Sequence, residues 1–253
     1  SEEGVQEVSN GSFSQEGAQL VTNGSFDTDS DWDKGSGITI SGGSANFTGV
    51  PNANINQNVG LVTGKTYKIV FTISNYVSGS IDYNLGGSTR RGNISGDGTF
   101  TDYVVSNSNQ FFFFQSNSSL GFTGSIDNVS VREVGQNWDL GTGWSIGEDK
   151  ASCDGTQTVN SFLETSNNLP LGVGKVFKVS FDITDYSAGS VNVTLIGTGG
   201  NEFSGINANG SYVGYSFGDS TGDAKLLVTS NADFIGSITN ISVKEVGQDW
   251  TLN

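Results

Sequence analysis

The sequence predicts an all-β chain built as two tandem β-sandwich domains of jelly-roll type. Three observations carry that expectation. Composition is the first: of 253 residues, 37 are Gly, 25 are Asn and 57 are Ser or Thr, with 2 Pro and no Met. Turn formers and β-branched residues abound while helix formers are scarce. The second is an internal repeat of about 110 residues, the size of a whole domain and not of a solenoid rung. The third is period-two alternation inside each repeat, the mark of half-buried strands.

The repeat sets the domain boundaries. Residues 124–138 recur as residues 236–250 with 11 of 15 positions identical. Gly64-Lys65-Thr66-Tyr67-Lys68-Ile69-Val70-Phe71 matches Gly174-Lys175-Val176-Phe177-Lys178-Val179-Ser180-Phe181, and Trp32 matches Trp138. This gives two domains, residues 21–134 and 135–246, joined by a short Pro-free link. An N-terminal extension, 1–20, and a C-terminal stub, 247–253, flank them. The stub, with Trp250-Thr251-Leu252, reads as the start of a third repeat or as a docking tail. Val8-Ser9-Asn10-Gly11-Ser12-Phe13 nearly duplicates Val21-Thr22-Asn23-Gly24-Ser25-Phe26. The second copy has the right distance to Trp32, so segment 1–20 is a strand without a domain of its own. Such a strand is unstable alone and is expected to pair with the sheet edge of a neighbouring subunit.

The strands can be read in order. Tyr67, Ile69, Phe71 and Ile73 face one way, and Phe177, Val179, Phe181 and Ile183 repeat them. Ile81, Tyr83 and Leu85 align with Val191, Val193 and Leu195. Ile126, Val129 and Val131 align with Ile238, Ile241 and Val243 and close each domain. About eight strands per repeat, punctuated by Gly, Asn and Ser, suit two packed sheets.

Composition also excludes functions. Without His there is no Ser-His-Asp or Cys-His catalysis and no imidazole metal site. A lone Cys153 forms no intrachain disulfide and reads as a small buried residue. Acids outnumber bases 26 to 11, for a net charge of −15, which argues against a nucleic-acid partner. No apolar run approaches the ~20 residues of a helical membrane span, so no membrane insertion is expected.

Asn23-Gly24-Ser25-Phe26-Asp27, then Trp32, then Gly42-Gly43-Ser44-Ala45, then Gly64-Lys65-Thr66-Tyr67-Lys68-Ile69-Val70-Phe71, ending in Ile126-Asp127-Asn128-Val129-Ser130-Val131, resembles jelly-roll carbohydrate-binding modules with a galactose-binding-like fold. The tandem style, ending Val-Ser-Val-(Arg/Lys)-Glu-Val and restarting with Trp, is similar to repeats of phage tail-fibre and other virion appendage proteins. The second repeat departs from the pattern: it lacks the Asn-Gly-Ser-Phe opening and carries Thr239 in place of Asp127. The resemblance implies the fold, sugar binding, and a structural calcium between Asp27 and Asp127. The alternative for these two is a solvated acidic turn, because Asp27, Asp29, Asp31 and Asp33 lack the EF-hand pattern.

Three further groups are candidates. Phe111-Phe112-Phe113-Phe114 aligns with Lys225-Leu226-Leu227-Val228. Alternation buries Phe112 and Phe114 and leaves Phe111 and Phe113 on an outer face, to be covered by a partner or by another part of the chain. Arg90 and Arg91 are a paired base in an acidic chain, suited to an acidic sugar or a subunit carboxylate. Asn201-Glu202 stands there in the second repeat. Tyr103 aligns with Tyr215 and Phe100 with Tyr212. With Asp82, Asn84 and Asn192 on a nearby outer face, these tyrosines are the candidate sugar contacts. The reading is a non-enzymatic virion appendage or surface protein, extracellular, contacting glycans, other subunits or copies of itself. A secreted carbohydrate-binding module and a ligand-free filament subunit are the alternatives.

Overall fold

The computed structural model describes residues 3–88, 91–108, 111–196, 203–218 and 224–247. Among them there is no helix, and every strand pairing is antiparallel. The chain opens with two short strands, β1 (Glu3–Gln6) and β2 (Glu16–Gln19). Next come β3 (Asp33–Lys34), β4 (Ile38–Ile40), β5 (Ala45–Thr48), β6 (Asn54–Asn58), β7 (Thr66–Gly79), β8 (Ile81–Leu85), β9 (Arg91–Ile94), β10 (Gly98–Val105), β11 (Phe111–Ser116) and β12 (Phe122–Val134). The second repeat supplies β13 (Trp138–Leu140), β14 (Trp144–Gly147), β15 (Lys150–Asp154), β16 (Ser161–Thr165), β17 (Val176–Ala188), β18 (Val191–Leu195), β19 (Phe203–Ile206), β20 (Gly210–Phe217), β21 (Leu226–Ser230) and β22 (Ile235–Val246).

These strands make two compact units, each a sandwich of two sheets. In residues 16–134 one sheet runs β10-β7-β12-β5-β4 with β2 also on β12, and the other runs β3-β6-β11-β8-β9. In the other unit the first sheet runs β14-β15-β22-β17-β20 with β1 also on β22, and the second runs β13-β16-β21-β18-β19. The alternation read from the sequence fills the cores. Tyr67, Ile69, Phe71 and Ile73 are buried, as are Phe177, Val179, Phe181 and Ile183, with Lys68 and Lys178 facing outward.

One correction changes the chain's plan. Residues 1–20 are not an extension. Residues 3–15 belong to the unit formed by the described residues from 135 to 247, and residues 16–134 form the unit between them. β1 pairs with β22 of its own chain, with Glu3 opposite Val246 and Gln6 opposite Lys244. The Asn-Gly-Ser-Phe opening that the second repeat lacks is therefore Asn10-Gly11-Ser12-Phe13. Phe13 packs tilted against Trp138 with ring centroids 5.0 Å apart, and Phe26 against Trp32 at 5.2 Å. Each indole donates to the backbone oxygen of the opening Asn at 3.1 Å, Trp138 to Asn10 and Trp32 to Asn23.

A bulge explains how Ile126 and Val129 can both point inward although three residues separate them. Asn128 sits at φ 53° and Asn240 at φ 53°, and the register slips between Asp127 and Ser130. The extra residue moves the buried set from even to odd positions.

Candidate functional site on the outer sheet face

The six-stranded sheet of each unit carries the same row of outward side chains. In residues 16–134 the row is Gln19, Arg132, Lys68 and Tyr103, opposite one another across β2, β12, β7 and β10. In the other unit it is Gln6, Lys244, Lys178 and Tyr215 across β1, β22, β17 and β20. One Glu bridges the two cations in each row. Glu16 lies 2.6 Å from Lys68 Nζ and 3.6 Å from Arg132 Nε; Glu3 lies 2.5 Å from Lys178 Nζ and 3.1 Å from Lys244 Nζ. The two ammonium groups hold the Glu3 carboxyl below the usual glutamate range, and Glu3 in turn raises Lys178. Each row thus has one cation in excess on a chain of net charge −15.

The tyrosine ends the row on an edge strand. On β20, Val213, Tyr215 and Phe217 are 56%, 59% and 63% exposed and form an apolar stripe beside Lys178. On β10, Tyr103 is half-buried and Val105 is exposed. A phenol with a flat apolar face next to fixed charged hydrogen-bonding groups can stack on a sugar ring and bond its hydroxyls. A cavity of about 210 Å³ lined by Gly141, Thr142, Gln157, Ser161 and Phe162 is below the ~300–1,000 Å³ of small-molecule sites.

The other sequence candidates fall elsewhere. Asp82, Asn84 and Asn192 do not share a face with the tyrosines: they sit in β8 and β18, on the opposite sheet of each sandwich. Asp82 accepts the backbone N–H of Asn93 at 2.6 Å and Asn192 that of Gly205 at 2.7 Å, so both clasp the β8–β9 and β18–β19 hairpins. Asn84 is buried and donates to the Ser88 carbonyl. Tyr212 stacks on Phe181 at 5.3 Å and 17°, and its hydroxyl donates to Ala208 at 2.9 Å. It caps the core as Phe100 does on Phe71. Arg91 pairs with Asp102 at 3.0 Å, and Asp102 also accepts the Tyr83 hydroxyl at 2.6 Å. Burial, then that carboxylate, pushes the Tyr83 phenol up. Arg90, Asn201 and Glu202 lie outside the described residues, as does the stub from residue 248.

Asp27, Asp29 and Asp31 lie in an irregular bend, and only Asp33 is in a strand, β3. Asp27 accepts from Ser25 at 2.6 Å, Asp31 from Ser30 at 2.6 Å, and Asp29 pairs with Lys34. Asp127 accepts the N–H of Asn128 at 2.6 Å. Among the described residues no group of three or more Cys, Asp or Glu is placed to hold a metal ion, and no helix is long and apolar enough to cross a membrane. In β11, Phe112 and Phe114 are buried, while Phe111 is 42% exposed and Phe113 half-buried. The matching face of the other unit holds a groove of about 440 Å³ lined by Phe162, Glu164, Leu227 and Thr229.

The Glu–cation rows were missed in the sequence. The signal was present: Lys68 aligns with Lys178, Arg132 with Lys244, and Glu16 trails Glu3 by the same thirteen residues that separate the two Asn-Gly-Ser-Phe copies.

No protein-family profile and no curated protein matches the chain. Among solved structures it is similar to a tandem of carbohydrate-binding modules, CBM22-1 and CBM22-2, from Paenibacillus barcinonensis Xyn10C. That match has 10% identity and TM-score 0.37, over 92% of this chain and 99% of that one. Tandem CBM51 modules of a family 98 glycoside hydrolase from Streptococcus pneumoniae match at 8% identity and TM-score 0.27, over 96% of each chain. The triple jelly-roll protein of an archaeal virus turret matches at 16% identity and TM-score 0.22, over 86% of this chain and 59% of that one. Likeness at these scores carries no functional argument; the sheet faces themselves must supply it.

Proposed function

We propose that this chain is a non-enzymatic surface protein, a virion appendage or similar extracellular component, that binds glycans on its outer sheet faces. The observation that supports this reading is the row of tyrosine, two cations and one bridging glutamate, repeated at equivalent positions in both units. A glycan array of neutral and acidic sugars tests it. Binding is expected from the full chain and is expected to fall at least roughly tenfold, about 1.4 kcal/mol, in Tyr215→Ala. Thermal melting of the variant should stay unchanged, since the ring is mostly exposed. A chain that binds no glycan, or a variant that binds as well as the parent, overturns the assignment.

Contact with a protein partner is the second reading. Phe111, with Phe113 beside it on the outer face of the five-stranded sheet, supports it, as do exposed Phe162 and the groove next to it. Phe111→Ser should then weaken assembly, measured as mass in solution, without changing glycan binding.

A further inference from the structure

The two opening segments are nearly the same peptide. Residues 3–13, Glu-Gly-Val-Gln-Glu-Val-Ser-Asn-Gly-Ser-Phe, and residues 16–26, Glu-Gly-Ala-Gln-Leu-Val-Thr-Asn-Gly-Ser-Phe, share eight of eleven residues. Each is held in its unit by the same devices. Gln6 Oε1 accepts the Val243 N–H at 2.9 Å, and Gln19 Oε1 that of Val131 at 2.8 Å. The Gln6 amide donates to the Ile241 carbonyl at 3.0 Å, and the Gln19 amide to that of Val129 at 3.3 Å. Ile241 donates its N–H to the Gly11 carbonyl at 2.9 Å, and Val129 to that of Gly24 at 2.8 Å. Both Gly are obligatory, because a Cβ on Gly11 would overlap the Ile241 carbonyl oxygen and one on Gly24 that of Val129. Phe13 and Phe26 are 2% and 1% exposed, and each closes its groove against a Trp.

The two segments differ in how they reach their grooves. Residues 16–26 run directly into the unit they complete. Residues 3–13 are separated from β22 by the whole of the other unit, which is complete without them. Two residues, Ser14 and Gln15, join the first segment to β2, whose Glu16 lies opposite Val134, so the segment starts beside its own groove and reaches another copy's by a change at that short hinge alone. The tether presents the segment to its own groove at an effective concentration of at least about the millimolar range, so exchange requires a comparably high protein concentration.

We propose that this groove is a strand-acceptor site whose second natural occupant is the opening segment of another copy of the chain, so that copies link by exchanging residues 3–13. The contacts are unchanged by exchange, because each is made between the segment and residues of the second unit: Gln136, Trp138, Lys178 of β17, and β22. The segment carries Glu3 and Gln6 of the row described above, but co-capture is read without any sugar, so its outcome and that of the glycan array are separate.

The test uses two full-length chains with different affinity tags at the C-terminus. They are unfolded, refolded together at high concentration, and captured by one tag. Co-capture of the second tag is expected, rising with protein concentration. It should be absent when the chains are refolded separately and then mixed. Gly11→Val in both chains is expected to abolish co-capture. Adding a synthetic peptide of residues 3–13, or of residues 16–26, to the Gly11→Val chain is expected to restore the melting transition of the second unit. Residues 16–134 serve as the internal folded control. The proposal is overturned by the absence of co-capture at any concentration, by co-capture that survives Gly11→Val, or by failure of both peptides to restore the transition.

Discussion

Glu3 shows how a single exposed side chain fixes a strand. Its two ammonium partners lower its carboxyl, so its folded value lies below its unfolded one. The contribution is therefore complete above the ordinary glutamate value of about 4.3 and is lost as pH falls through the folded value. Amide-exchange protection at Glu7, whose N–H donates to Val243 at 2.9 Å, is expected to drop in that acid window. The drop should be absent in Glu3→Gln, whose protection is already low at neutral pH. Glu7 has the opposite sign: burial raises its carboxyl, so its ionisation opposes docking as pH rises. The equivalent residue is Leu20, and Glu7→Leu is expected to raise the second unit's melting temperature at pH 7. Cys153 is buried, its thiol is pushed up chiefly by that burial, and its Sγ lies 4.0 Å from Ser230 Oγ. A thiol reagent should label it only as the second unit unfolds.

At the scale of elements, the bulges in β12 and β22 decide which residues face the core. Asn tolerates the left-handed conformation that a β-branched residue resists. Asn128→Val is therefore expected to cost the first unit about 1–2 kcal/mol, read as a lower melting temperature with the second unit unchanged. The turn of Asp27 to Asp31 gives a second test. Its carboxylates already hold Ser25, Lys34 and Ser30, so chelation is expected to leave the melting of residues 16–134 unchanged. Strand alternation made much of this level legible. Tyr67, Ile69, Phe71 and Ile73, then Ile81, Tyr83 and Leu85, and Phe112 with Phe114 are buried as their periodicity indicated. Sheet membership was not legible. Alternation tells which way a side chain points but not which sheet its strand joins, so Asp82 and Asn192 were grouped with tyrosines that lie on the opposite sheet.

For the molecule as a whole, the repeat was plain in the sequence, but the pairing of openings with bodies was not. Proximity along the chain assigned Asn23 to Phe26 correctly and left Asn10 to Phe13 without a unit. Its true partner, β22, lies at the far end of the chain, and sequence similarity alone does not say which copy goes where. The arrangement predicts that residues 16–134 fold alone with one cooperative transition. Residues 135–247 should do so only when residues 3–13 are supplied, which circular dichroism melts of the two fragments would measure. The same arrangement has a consequence in time. Gln6 bonds a residue 235 positions later. At a ribosomal rate of about 5–20 residues per second, β1 waits roughly 10–50 s for its partner to emerge. During that wait the groove on β12 emerges first, and Glu16 to Phe26 is bonded to it across 110 to 112 positions. Glu16 to Phe26, once seated there, keeps Glu3 to Phe13 out of that groove. The order of synthesis thus sorts two peptides that their chemistry scarcely distinguishes.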